Sequence, residues 1–213
     1  MKEKTRSRRD FLHLASKMTS VSIAAFSFGC SIKPSIEKNS TKTALLYGTR
    51  YGATKDTAQW IAKGAGDNLD ILDIETVDLN TIADRYDMFI IGSGVWIDGV
   101  HIRMKELLSA KTNQIEPKII AAFIVCGTTG KDKAGKKRIE GYFDRFFQPL
   151  NNRPPRLAYF GGRMNISKLS EKDRKLLENF YRNILKREFK DWDRTDPKAA
   201  KSFGAKISQT AIS

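Results

Sequence analysis

The densest run of groups able to hold an anion follows an apolar stretch: Tyr47-Gly48-Thr49-Arg50-Tyr51-Gly52-Ala53-Thr54-Lys55-Asp56. Thr49 and Thr54 can donate hydroxyl hydrogen bonds to phosphate oxygens. Gly52 lets the backbone turn closely around such a group. A helix starting here would aim its first N–H groups and the positive end of its dipole at the anion. Arg50 can neutralise the charge or point to solvent. Read alone, the run also suits a tight turn before a helix, with Thr54 as its N-cap.

Two further loops of similar character follow apolar runs. Ile91-Gly92-Ser93-Gly94-Val95-Trp96-Ile97-Asp98-Gly99 is glycine-rich and carries an aromatic. Trp96 can stack on a planar ring or serve as a partly buried core aromatic. Cys126-Gly127-Thr128-Thr129-Gly130 has hydroxyls but no aromatic. Cys126 reads as a small buried hydrophobe at a strand end rather than a redox thiol. No residue stands out as a general acid or base. Asp98 and His101 lie near the second loop, and read more simply as a helix-start acid and a surface histidine. The catalytic residue is therefore left unassigned, and a bound cofactor becomes the natural source of reactivity.

Other chemistries fit poorly. Two histidines, one of them in the first thirty residues, cannot build a histidine-rich metal site, and no metal site is expected. Gly130-x4-Gly135-Lys136 approaches a nucleotide phosphate loop. Lys137 then stands where a Ser or Thr must hold magnesium, which excludes nucleotide hydrolysis.

Apolar runs and helical periodicity supply the scaffold. Buried strands are predicted at Thr43–Tyr47, Ile71–Val77, Met88–Ile91 and Lys118–Val125, with a weaker one at Arg156–Phe160. Helices are predicted at Thr54–Ala65, Ile102–Ala110, Ala134–Phe147, Ser170–Arg187 and Pro197–Ile207. This alternation implies an α/β fold, a doubly wound open sheet with right-handed crossovers. Ligands of such sheets bind beyond the carboxyl ends of the strands, where the three loops fall.

The first loop resembles the phosphate loop of flavodoxins, a hydroxyl-x-x-Gly-x-Thr pattern between the first strand and first helix. The other two follow strands in the order that family uses. The resemblance covers roughly residues 42–208 and implies a five-stranded parallel sheet of order 2-1-3-4-5 in a three-layer α/β/α domain. It also implies noncovalent FMN. Thr49, Arg50, Tyr51, Gly52, Ala53 and Thr54 would surround the phosphate. Ser93, Gly94, Val95 and Trp96 would lie beside the isoalloxazine ring, and Cys126, Gly127, Thr128 and Thr129 at its pyrimidine edge. Flavodoxins often place an aromatic in the third loop, and its absence here departs from a two-sided aromatic sandwich. The run Tyr159-Phe160-Gly161-Gly162-Arg163-Met164-Asn165, with Asp191-Trp192-Asp193 before the last helix, is similar to the branch containing menaquinone-dependent protoporphyrinogen oxidases.

The N-terminus bears on where such chemistry would occur. Ser7-Arg8-Arg9-Asp10-Phe11-Leu12 sets paired arginines before an apolar stretch, the twin-arginine export pattern. Residues 1–30 are read as this leader, 31–42 as a polar tether and 43–213 as the domain. Ser27-Phe28-Gly29 suits soluble cleavage, whereas Gly29-Cys30 suits a lipoprotein junction with lipid on Cys30. The expected location is thus periplasmic or membrane-anchored. The twin-arginine route carries folded proteins, which allows a cofactor to be loaded before export.

Residues 31–213 keep 32 basic and 22 acidic residues, a formal charge of +10, which favours acidic partners or anionic lipid. The cations are interspersed with acids rather than with aromatics, so nucleic acid is not expected. Lys131–Arg138 is the most basic segment and could meet lipid headgroups or an acidic redox partner. The leading expectation is an exported FMN-dependent redox protein passing electrons between a reduced donor and a quinone or protein acceptor. The alternatives are a quinone-dependent protoporphyrinogen oxidase and a flavodoxin-like binding module without FMN.

Overall fold

The computed structural model describes residues 41–66, 69–97 and 99–210. Residues 1–30, read above as a leader, with Cys30 among them, and Asp98 lie outside the described residues. Five parallel strands form the central sheet: β1 (Thr43–Gly48), β2 (Leu69–Asp73), β3 (Met88–Gly94), β4 (Ile119–Cys126) and β5 (Leu157–Gly161), in the order β2-β1-β3-β4-β5. This is the order the flavodoxin resemblance implies.

The central strands are apolar on both faces because both are covered. Every residue of β1 is buried, as are most of β3 and β4, while the edge strands β2 and β5 are only partly covered. Side chains alternate between two cores. Ala44, Leu46, Phe89, Ile91 and Ile124 face one, with α3 (Ile102–Ala110) and α5 (Lys133–Phe147) packed over them. Leu45, Ile90, Ala121 and Phe123 face the other, under α1 (Ala53–Ala65) and the C-terminal α7 (Pro197–Thr210). Each fully buried Leu, Ile or Phe contributes about 1.5–3 kcal/mol.

Helices α1 and α7 touch through glycine. A Cβ on Gly64 would lie 1.9 Å from the Lys201 carbonyl oxygen, and one on Gly204 2.0 Å from that of Ile61. Gly→Ala inside a helix ordinarily gains up to about 1 kcal/mol. Here the overlap reverses the sign. Gly64→Ala is expected to destabilise the domain by about 1 kcal/mol in chemical unfolding, since a packed interface absorbs an added methyl only by shifting.

Several elements differ from expectation. Strand β2 ends at Asp73 rather than Val77, because the Asp73 carboxylate accepts Glu75 N–H (3.0 Å) and turns the chain. Strand β3 continues past Ile91 to Gly94, pairing Ser93 with Gly48 and Gly94 with Val125. The helix expected over Ser170–Arg187 is α6 (Glu171–Asn179), followed by a π-helical stretch, Phe180–Leu185, and ended by Lys186 at φ 51°. The apolar spacing there misleads: Leu176 and Ile184 are exposed. Short helices α2 (Ile82–Arg85) and α4 (Thr112–Ile115) add to the expected elements. So does an antiparallel ribbon of β6 (Arg163–Met164) with β7 (Trp192–Asp193). Among the described residues no helix is long and apolar enough to cross a membrane.

Candidate functional site

The three loops meet at the carboxyl ends of β1, β3 and β4, as parallel topology requires. In the first, Gly52 occupies the N-cap position of α1 at φ 87°, a conformation that favours glycine. Thr54 is not the cap; it lies inside the first turn, 2% exposed. Its hydroxyl faces Gly94, where a Cβ would lie 2.8 Å from the Thr54 oxygen. Gly52 N–H donates to Thr49 Oγ1 (3.0 Å), so the Thr49 hydroxyl hydrogen remains free to donate outward. The backbone N–H groups of Arg50, Tyr51, Ala53, Thr54 and Lys55 have no acceptor among the described residues. Such a cluster, at the positive end of a helix, is a ready seat for an anion.

Arg50 does not point freely to solvent. Its Nη2 and Nε bind Asp173 Oδ1 and Oδ2 at 2.6 and 2.7 Å, and its guanidinium lies 4.7 Å from the Trp96 ring centroid. Tyr51 OH donates to the same carboxylate and accepts from Ser170 N–H (3.1 Å), while its ring packs 5.5 Å from Trp96. Asp173, on α6, is 2% exposed. Burial pushes its carboxyl up, but the hydrogen bonds from Arg50 and Tyr51 outweigh this and hold it below the ordinary range. This clasp ties the first loop to α6 and takes up the Arg50 charge. An anion in the first loop would be held chiefly by N–H and hydroxyl groups.

In the second loop, Val95 N–H donates to Val125 C=O (2.8 Å), and Trp96 and Gly99 exchange backbone hydrogen bonds. Ile97, between them, is β-branched yet holds φ 42°. That conformation costs of order 1–3 kcal/mol and persists only where surroundings enforce it. Ser93 is fully buried in β3, its hydroxyl accepting His101 N–H (2.8 Å). His101 is not the surface histidine expected. Its side chain is 16% exposed and packs on Gly48, where any Cβ would meet it at 2.6 Å. Nε2 approaches Glu75 (3.4 Å), and Nδ1 is buried without a partner.

The third loop lacks an aromatic of its own, but one reaches it from elsewhere. Trp192 of β7 lies so close that a Cβ on Gly127 would be 3.2 Å from its ring. Cys126 is buried at the end of β4, and desolvation pushes its thiol up to about 11. With Cys30 replaced by Ser, native protein at pH 8 is expected to react with a thiol reagent roughly two to three orders of magnitude more slowly than denatured protein. Equal rates would contradict the burial.

The loops enclose a cavity of about 870 Å³, within the usual range of about 300–1,000 Å³ for ligand sites. Thr49, Arg50, Tyr51, Ala53 and Thr54 line it from the first loop. Gly94, Val95 and Trp96 line it from the second, and Cys126, Gly127, Thr128 and Thr129 from the third. Gly52 and Ser93, also expected at the site, do not line it: Gly52 is the N-cap of α1 and Ser93 is fully buried in β3. Sequence reasoning missed the far wall, where Tyr181, Trp192 and Arg194 contribute. The only signal there was aromatic residues clustered before the last helix. Among the described residues no group of His, Cys, Asp and Glu could hold a metal ion.

A family model described as a flavodoxin domain matches residues 44–191. No curated protein matches the chain. Among solved structures, a WrbA-like flavodoxin from Agrobacterium tumefaciens is 18% identical, with 81% of this chain and 98% of that one covered and a TM-score of 0.44. A flavodoxin from the domain Archaea is 14% identical, with coverages of 80% and 99% and a TM-score of 0.43. The Flv1 flavodiiron core from Synechocystis sp. PCC6803 is 18% identical at a TM-score of 0.45; 80% of this chain aligns, spanning 36% of that one.

Proposed function

This chain belongs to the flavodoxin-domain family, and on that premise we propose that it binds FMN noncovalently and works as a redox protein. The observation that carries the reading is the first loop: unpaired N–H groups at the start of α1, with the Thr49 and Thr54 hydroxyls at the cavity wall. They suit a phosphate monoester, the part of FMN that distinguishes it from riboflavin. FMN, when bound, would supply reversible one- and two-electron chemistry that the side chains themselves lack.

The chain's own residues would do three things. The first loop would bind the phosphate. Trp96, braced by Tyr51 and Arg50, would present an aromatic surface to the ring. The buried sheet end around Cys126 would keep water from one side of the cavity.

The partner would meet a basic surface. Lys131, Lys133, Lys136, Lys137 and Arg138 are exposed and make no ion pair among the described residues. The nearby Asp132 is used as the cap of α5, accepting Gly135 N–H (2.6 Å). Cations at a helix N-terminus oppose the dipole, so helix stability does not explain them. We take the electron partner to be a quinone or an acidic redox protein, met at a membrane surface beyond the cytoplasmic membrane, as the leader suggests.

The test is anaerobic. FMN-loaded full-length protein is reduced with dithionite, then mixed with a water-soluble naphthoquinone or with ferricyanide. Rapid reoxidation, faster at low salt for the anionic ferricyanide, is expected. A flavin that binds but exchanges electrons with neither acceptor would leave a binding module instead.

A further inference from the structure

Flavin rings are commonly held between aromatic surfaces; the aromatics that the three loops bring to the cavity, Tyr51 and Trp96, pack on each other, and the third loop brings none. The ribbon β6/β7 brings an aromatic to that third loop. Trp192 abuts Gly127 and lines the cavity. Its indole is fixed on several sides. Nε1 donates to Tyr181 OH (2.8 Å), so the indole N–H is already engaged. Arg194 stands over the ring, 4.8 Å from the centroid, and its guanidinium also donates to the Gly127 carbonyl. Tyr181 in turn packs on Phe189 (5.6 Å). The ring's other face has no aromatic or cationic partner among the described residues.

The ribbon carrying it is anchored at both ends. Arg163 of β6 pairs with Asp56 of α1 (2.5 Å), Arg194 N–H donates to Gly162 C=O (2.9 Å), and Ile166 N–H donates to Asp191 (2.8 Å). A ring held this firmly at the edge of a cavity, with its polar atom satisfied, has only its π-surface left to offer a ligand. The glycine at position 127 is what allows it to come so near the loop.

We propose that Trp192 is a cofactor-positioning residue, the aromatic wall that the third loop lacks, supplied from the C-terminal segment. The assignment rests on FMN being the ligand. It makes the C-terminal ribbon part of the cofactor site rather than an appendage to the fold.

The test uses full-length protein and the variants Trp192→Phe and Trp192→Leu. Leucine keeps apolar bulk without a π-face, and phenylalanine keeps the face without the N–H. FMN dissociation constants, the visible absorption envelope of the bound flavin and its midpoint potential are measured, with thermal unfolding of each apoprotein as a control. Trp192→Leu is expected to weaken FMN binding roughly tenfold to hundredfold, the scale of losing one aromatic stack. It should also alter the absorption envelope and potential, while Trp192→Phe stays within about threefold of wild type. A purely structural role would change the unfolding temperature and leave envelope and potential alone. If wild type binds FMN and Trp192→Leu matches it in affinity, envelope and potential, the assignment is overturned while the FMN reading stands. If wild type binds no FMN, both fall.

Discussion

Replacing Thr49 and Thr54 together with alanine is expected to weaken FMN binding by about 100-fold or more while leaving riboflavin binding unchanged. A hydrogen bond to a charged group contributes about 1.5–3 kcal/mol, and about 1.4 kcal/mol is a factor of ten in affinity. Losing two such donors to one phosphate would exceed 100-fold if they acted independently. The loop's free N–H groups would retain part of the grip, which sets the expectation near the lower figure. The fold should tolerate the change. Thr54 is buried, but alanine at a first-turn position leaves the helix intact, and Gly52 rather than Thr54 holds the N-cap position. Thr49 does accept Gly52 N–H, so some loosening of the turn is included in the effect. Riboflavin is the decisive control, because it lacks only the phosphate. Parallel losses for both ligands would mean that the threonines shape the loop without touching a phosphate. No loss for FMN would remove the phosphate site from this loop.

The second large effect is expected at Asp173. Asp173→Ala should lower stability by about 2–3 kcal/mol, a fall in Tm of roughly 5–10 °C for a domain of this size. Removing one partner of a buried pair costs about 3–5 kcal/mol. Here the Arg50 side chain is half exposed and can turn to water, so the low end or below applies. The carboxylate also serves Tyr51, so the clasp between the first loop and α6 is lost as a unit. Its pH dependence follows from the depressed carboxyl. A group whose folded pKa lies below its unfolded value binds its proton later in the folded state. Its contribution is complete at neutral pH and fades as pH falls below the ordinary Asp value of about 3.9. Asp173→Asn should therefore narrow the gap in stability between pH 7 and pH 3 relative to wild type, as read by urea unfolding at both values. An unchanged gap would mean that the Arg50–Asp173 pair has no energetic role.

Much of this fold was legible because the signals were local. The runs Thr43–Tyr47 and Lys118–Val125 are apolar on both faces, and only a doubly covered parallel strand makes that pattern favourable in a domain of this size. The loops after them were legible for the same reason: parallel topology leaves nowhere else for a ligand. The clasp was not legible. Nothing in Arg50-Tyr51 announces a partner 123 and 122 residues away, and Asp173 reads as an ordinary first-turn acid of α6. Trp192 stood in a run that carried the narrower resemblance, but its place at the cavity was hidden, because its ribbon has only two residues per strand and no periodicity to detect. The end of α6 misled for a different reason. Leu176, Leu177, Phe180, Tyr181 and Ile184 keep helical spacing, but the change to π geometry rotates the later ones, leaving Ile184 exposed and Tyr181 at the cavity. His101 shows the limit of reading a lone histidine by type. Its burial comes from Gly48, a residue whose missing side chain makes the space.

The most direct measurement is equilibrium titration of the purified full-length apoprotein with FMN, followed by gel filtration and a visible absorption spectrum of the protein fraction. A yellow protein carrying one FMN per chain is expected, with the flavin bands perturbed from those of free FMN. Its FMN should be displaced far less readily by riboflavin than by more FMN. A colourless protein fraction after saturation with FMN would contradict FMN binding, and with it the redox function.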